Sequence, residues 1–124
     1  MFFGGATTPA FDMGNRVQGV SWWPDESITY RQVQEALRAE GPIDIMFTHD
    51  HPISFPYKQY AKDYGRADRV FLEELRQRFR PRFSVFGHHH DFKQGETDGT
   101  PWACAPVINS RKAILWDGES LTLI

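Results

Sequence analysis

The chain is 124 residues long, with 40% hydrophobic and 15% aromatic residues and a formal net charge of -2, which suits one folded domain and excludes global disorder or a whole-chain attraction to nucleic acid or anionic membranes. The single cysteine, Cys104, excludes an internal disulfide framework and suits a reducing compartment. No apolar run approaches the ~20 residues that cross a bilayer, and "MFFGGATTPAF" has neither the basic nor the long apolar region of a signal peptide, so a cytoplasmic location without a membrane partner is expected.

The first element, "MFFGG", reads as a short strand closed by glycines, and 6–28 as an irregular loop rich in aromatic residues. A helix is predicted after Thr29, which can cap it, with Gln32 three positions on as the partner of a capping box. Tyr30, Val33 and Leu37 fall at helical spacing, and Gly41 and Pro42 stop the run. "IDIMFTH" follows as a buried strand. A second helix is predicted over about 67–79, where Phe71, Leu75 and Phe79 recur every four residues, and Pro81 ends it. "FSVFG" is the next strand, and the tail from Trp102 reads as β structure with a hairpin turn at Asp117–Gly118. Strands alternating with helices predict an α/β fold with parallel strands, and ligands then bind beyond the carboxyl ends of those strands.

All five histidines follow the two central strands, His49 and His51 after the first and His88, His89 and His90 after the second. Neutral imidazole is a good ligand for manganese, iron, zinc or nickel. In an extended segment, positions i and i+2 point to one side, so His88 and His90 can share a direction while His89 turns away. Gly87 lets the backbone turn sharply just before them.

Thr48-His49-Asp50-His51-Pro52 and Gly87-His88-His89-His90 resemble the last two motifs of the calcineurin-like metallophosphoesterases, T-H-x-x-P and G-H-x-H, in their bacterial and phage form. The segment "GGATT…R…SWWPDES" also resembles the stretch that joins the two halves of that domain. The resemblance implies that His49 and His88 bind one metal of a two-metal site and His90 the other, with manganese the first expectation and iron, zinc or nickel alternatives. Asp50, Asp91 and His51 are then candidates to support those ligands from behind; His51 and His89 match no ligand position and read as polar loop or outer-layer groups. The implied activity is phosphoester hydrolysis, by a phosphatase or phosphodiesterase.

The early motifs of that family, D-x-H, G-D-x-x-D and G-N-H-D/E, have no counterpart here; "GNR" at 14–16 lacks the histidine and the acid. The resemblance therefore reads 1–124 as a single incomplete domain, the carboxy-terminal half of an αββα sandwich with a mixed sheet, two main helices and a β-rich tail. The bridging aspartate and the acid histidine are expected from an amino-terminal half, on another chain or upstream. Three neutral imidazoles cannot offset two adjacent cations, so the chain alone is expected to bind at most one metal per site, weakly. A complementary half or a second copy would cover Phe2, Phe3, Phe47 and Phe86. The alternative is a non-catalytic, partner-binding module of the same fold.

For the substrate, Tyr57, Tyr60 and Tyr64 would form one stripe on a short helix with Lys58 and Lys62 between them. Tyr57 and Lys58 are candidate contacts to a phosphoester, a nucleotide or nucleic acid among them; tyrosines packed on the core are the competing reading. The arginines from Arg66 to Arg82, interleaved with Glu73 and Glu74, read as a solvated helix face.

Overall fold

The computed structural model describes residues 1–5, 7, 14–57 and 65–124. It is a mixed α/β structure. Strands β1 (Phe2–Phe3), β2 (Ile45–Thr48), β3 (Phe83–Phe86), β4 (Lys93–Thr97) and β5 (Thr100–Cys104) form one sheet in the order β1-β2-β3-β5-β4. All neighbours run parallel except β4 and β5. Helices α1 (Tyr30–Leu37) and α2 (Arg66–Phe79) are the crossovers, and β6 (Ile114–Trp116) and β7 (Leu121–Leu123) make a separate hairpin.

Local chemistry explains the boundaries. The Thr29 side chain accepts from the Gln32 amide while the Gln32 side chain accepts from the Thr29 amide at 2.8 Å, so the predicted capping box starts α1. Helix α2 ends at Arg80, whose left-handed conformation turns the chain into Pro81. The expected turn at Asp117–Gly118 is present, its Asp117 carboxylate accepting from the amides of Glu119 and Ser120. A second Asp-Gly turn was not predicted: Asp98 and Gly99 both have positive φ and close the β4–β5 hairpin.

The pleat sorts the sheet into two faces. Paired Met46, Ser84 and Trp102 share one face, and both helices lie over its β1–β2 side. There Ile28, Val33, Met46, Leu72, Leu75 and Phe79 form the main core. On the same face Phe55, Tyr57, Phe86, Trp102 and Cys104 form a second, aromatic cluster. Phe86 and Phe3, expected to need covering, are covered by the chain itself: Phe86 is 1% exposed and Phe3 packs on the main core. The other face carries Phe2, Phe47, Phe83 and Val85. Trp116 of the β6–β7 hairpin meets Phe83 there at 5.9 Å, but Phe2, stacked on Phe47 at 4.8 Å, remains 83% exposed.

Two helix faces differ from the predicted ones. Of the α1 residues at helical spacing, Val33 is buried and Leu37 packs on the main core as expected, but Tyr30 is exposed. On α2 the charged residues are not all solvated. Asp68, Arg69, Glu73 and Arg76 are buried: Asp68 meets Thr7 and Ile28, while the 53–57 turn folds over the helix beyond it, where Ser54 Oγ donates to Glu73 at 2.6 Å and the Arg76 guanidinium lies 5.8 Å from the Phe55 ring centre.

Candidate functional site

The carboxyl ends of β1, β2 and β3 open into one cleft of about 820 Å³. Gly4, Gly5 and Thr7 follow β1, His49 follows β2, and His88 and His90 follow β3; all line it. Parallel pairing sets this up, since strands in one direction and in register bring their following loops to the same sheet edge. Gly87 N donates to His49 O at 3.0 Å, which joins the two histidine loops just beyond the last pair of the ladder.

His49 Nε2 and His88 Nδ1 stand 2.9 Å apart. His88 and His90 both have positive φ, 64° and 60°. The segment is thus not the extended one expected; this left-handed backbone is costly for residues with a side chain, yet His88 and His90 still share a direction, both lining the cleft, while His89, between them, is buried. The protein walls around the His88 ring cost its charged form hydration and lower its pKa, with His49, His89 and His90 adding to this against Asp50. Neutral His88 is the ligand form.

The opposite wall was not read from the sequence. It comes from the loop before α1 and the start of that helix, and includes Arg16, Asp25, Glu26, Ser27 and Gln32. Arg16 donates to Ser21 O at 3.1 Å and the Glu26 carboxylate accepts from the Trp23 amide at 3.0 Å. The one sequence signal was the adjacent acids of "PDES", and nothing local says which way they face. Gly5 makes this wall's approach feasible: at its φ of 116° a Cβ would lie 2.8 Å from Glu26 O. Asp68 fixes the same region from below, accepting from the Thr7 amide and hydroxyl and from the Ile28 amide at 2.6–2.9 Å.

The remaining candidates are placed differently. His51 and His89, read as polar loop or outer-layer groups, are 1% and 8% exposed. Asp50, 4% exposed, accepts from His89 Nε2 at 3.0 Å and from the His51 amide at 2.7 Å. Burial pushes the Asp50 carboxyl up, but the bonds from His89 and the His51 amide outweigh it, with help from nearby His51 and His88, and hold it at about 2. Its bonding partner is thus His89, between the ligand positions, and it bonds neither His49 nor His88. One oxygen of Asp50 and one ring nitrogen each of His51 and His89 lie within 4.8 Å of one another, a set that can hold a metal ion. Asp91 is exposed. Tyr57 is 5% exposed and does not line the cleft; it packs against Phe86 at 5.5 Å and His89 at 4.7 Å. Lys58, Tyr60 and Tyr64 lie outside the described residues. Cys104 is buried, and burial pushes its thiol up, away from nucleophilic use.

The described residues thus define a mixed α/β domain with a histidine-lined cleft at the carboxyl ends of its parallel strands. No family model matches the chain, and no curated protein matches it. Among the described residues, no helix is long and apolar enough to cross a membrane.

Proposed function

We propose that this chain is the carboxy-terminal part of a calcineurin-like, metal-dependent phosphoester hydrolase, with an αββα sandwich completed by a complementary amino-terminal half. The observation that carries the reading is the convergence of His49, His88 and His90 on one cleft, with two ring nitrogens 2.9 Å apart. That spacing fits a shared divalent ion: neighbouring ligands at right angles on bonds of about 2.1 Å stand about 3.0 Å apart. His49 and His88 would hold one ion and His90 a second, with manganese, iron, zinc or nickel all suited to imidazole.

Bound divalent cations would supply Lewis acidity, polarising the phosphoryl group and lowering the pKa of an attacking water. The chain's own residues supply position and charge. His49 and His88 are held by loops joined through the Gly87–His49 backbone bond. Arg16, in the facing wall, brings positive charge to an anionic ester. Asp25 and Glu26 bring carboxylates to the same cleft, and carboxylates offset closely spaced cations. The exposed Phe2–Phe47 stack, beside β1, an edge strand among the described residues, is the surface a complementary half would cover.

That surface also favours a second reading, a partner-binding module without catalysis. The two separate in one experiment: hydrolysis of a chromogenic phosphodiester with manganese, by the chain alone and mixed with an amino-terminal half bearing D-x-H, G-D-x-x-D and G-N-H-D/E. The hydrolase reading expects turnover in the mixture, abolished by chelator and by His49→Ala or His88→Ala. A mixture that associates without turnover, or turnover indifferent to both substitutions, overturns it.

A further inference from the structure

We propose that Asp50, His51 and His89 supply three ligands of a buried cation site behind the cleft, suited to zinc, that staples the two histidine loops together. This site is separate from the cleft ligands and does not depend on the hydrolase reading. Its three side chains are buried, and their donor atoms lie within 4.8 Å of one another.

The decisive atom is His51 Nε2. His51 Nδ1 lies 2.8 Å from Pro52 O. A carbonyl oxygen only accepts, so Nδ1 bears the proton and Nε2 presents a bare lone pair. That Nε2 is buried and, among the described residues, has no hydrogen-bond partner. Its neighbour is Asp50 Oδ1 at 3.8 Å, itself an acceptor. Two electron-rich atoms facing one another in a buried space are unfavourable until a cation or donor lies between them.

The spacing suits a metal. Ligand atoms around a tetrahedral ion on bonds of about 2.0–2.2 Å are about 3.3–3.6 Å apart. The distances from Asp50 Oδ1 to His89 Nε2 and to His51 Nε2, 3.0 Å and 3.8 Å, fall on either side of that range. Small rotations of the three side chains make room. His89 then carries its proton on Nδ1, so that Nε2 faces the ion, and neither neutral imidazole loses a proton. The rings of Tyr57 and Phe86, 5.7 Å and 5.3 Å from that of His51, wall the site from solvent. Since His51 and Asp50 follow β2 and His89 follows β3, an ion here would lock the loops that present His49, His88 and His90.

The test uses the full chain with the cleft emptied by His49→Ala, His88→Ala and His90→Ala, dialysed against micromolar zinc and analysed for bound metal. One zinc per chain is expected; none retained overturns the proposal. Adding His51→Gln should reduce it to zero with an unchanged circular dichroism spectrum, and retained zinc again overturns it. If that variant misfolds, Asp50→Asn replaces it with little change of shape. In the unsubstituted chain, the nitrogen chemical shift of His51 Nε2 should move from a bare-imine value on adding zinc. A signal that stays in place counts against the site whatever the variants do.

Discussion

His49 Nε2 and His88 Nδ1, separated by 39 positions in the chain, stand 2.9 Å apart at the mouth of one cleft. Two strands with parallel pairing, Met46 beside Ser84 and Thr48 beside Phe86, bring them there. Without an ion, one ring must donate a proton to the other; in the proposed metal site, both would instead offer lone pairs.

The first prediction concerns that pair. His49→Ala and His88→Ala should each weaken manganese binding in the cleft roughly a hundredfold or more, because losing a direct ligand exceeds the 10–100-fold cost of losing a supporting group. Titration calorimetry on the chain reads it. Equal affinity in either variant and the parent excludes the pair as ligands.

Acid should destabilise the fold in two stages. His51 and His88 have pKa values below the ordinary 6.5, so as pH falls through 6.5 the unfolded chain takes up protons that the folded chain refuses, and stability drops. The Asp50 carboxyl, held at about 2 against an ordinary 3.8, contributes stability that is complete above 3.8 and is lost as pH falls from there towards 2. That second loss is about 2 kcal/mol. Denaturant midpoints measured from pH 7 to pH 3 should decline throughout. A midpoint that rises on acidification would show that these groups are not held as described.

Breaking the buried pair on α2 should be costly. Arg76 bonds Glu73 at 2.6 Å with little exposure on either side chain, and Gln77 and Ser54 also bond that carboxylate. Arg76→Ala removes the counter-charge of the acid, leaving it only the Ser54 and Gln77 bonds, and should cost about 3 kcal/mol. Combining it with Glu73→Ala should cost much less than the sum of the two single changes. Additive losses in urea unfolding would mean the pair is not coupled.

The open sheet face gives a contrasting expectation. Phe2→Ser removes only a stacked, mostly exposed ring, so it should cost the isolated chain about 1 kcal/mol or less. Met46→Ala, at a fully buried site on the other face, should cost about 2–5 kcal/mol. The same Phe2 substitution should weaken binding of a complementary half by tenfold or more if that half covers this face, read by calorimetry. Unchanged binding locates the contact elsewhere.

Much of the framework was legible along the chain because its signals are local. Thr29 and Gln32 lie within one helical turn, Pro81 stops what precedes it, and the apolar runs at 45–48 and 83–86 need only their own residues to be read as buried strands. The grouping of all five histidines after those two strands was equally plain, and with it the expectation that ligands collect there. Lateral relationships were not legible. The order of β1, β2, β3, β5 and β4, the burial of Glu73 and Arg76 beneath the 53–57 turn, and the arrival of Arg16, Asp25 and Glu26 opposite the histidines all depend on contacts between residues far apart in sequence.

The division is sharpest inside "GHHH". Composition and position established that imidazoles follow a strand end. The i, i+2 relation already paired His88 with His90 and set His89 apart; that the pair faces the cleft and His89 the interior was decided by tertiary structure, since a buried carboxylate from the other loop, Asp50, draws His89 inward and leaves His88 and His90 turned out in left-handed conformations. A hydrogen bond across 39 residues can fix which side faces inward, and no pattern of neighbours along the chain encodes its partner.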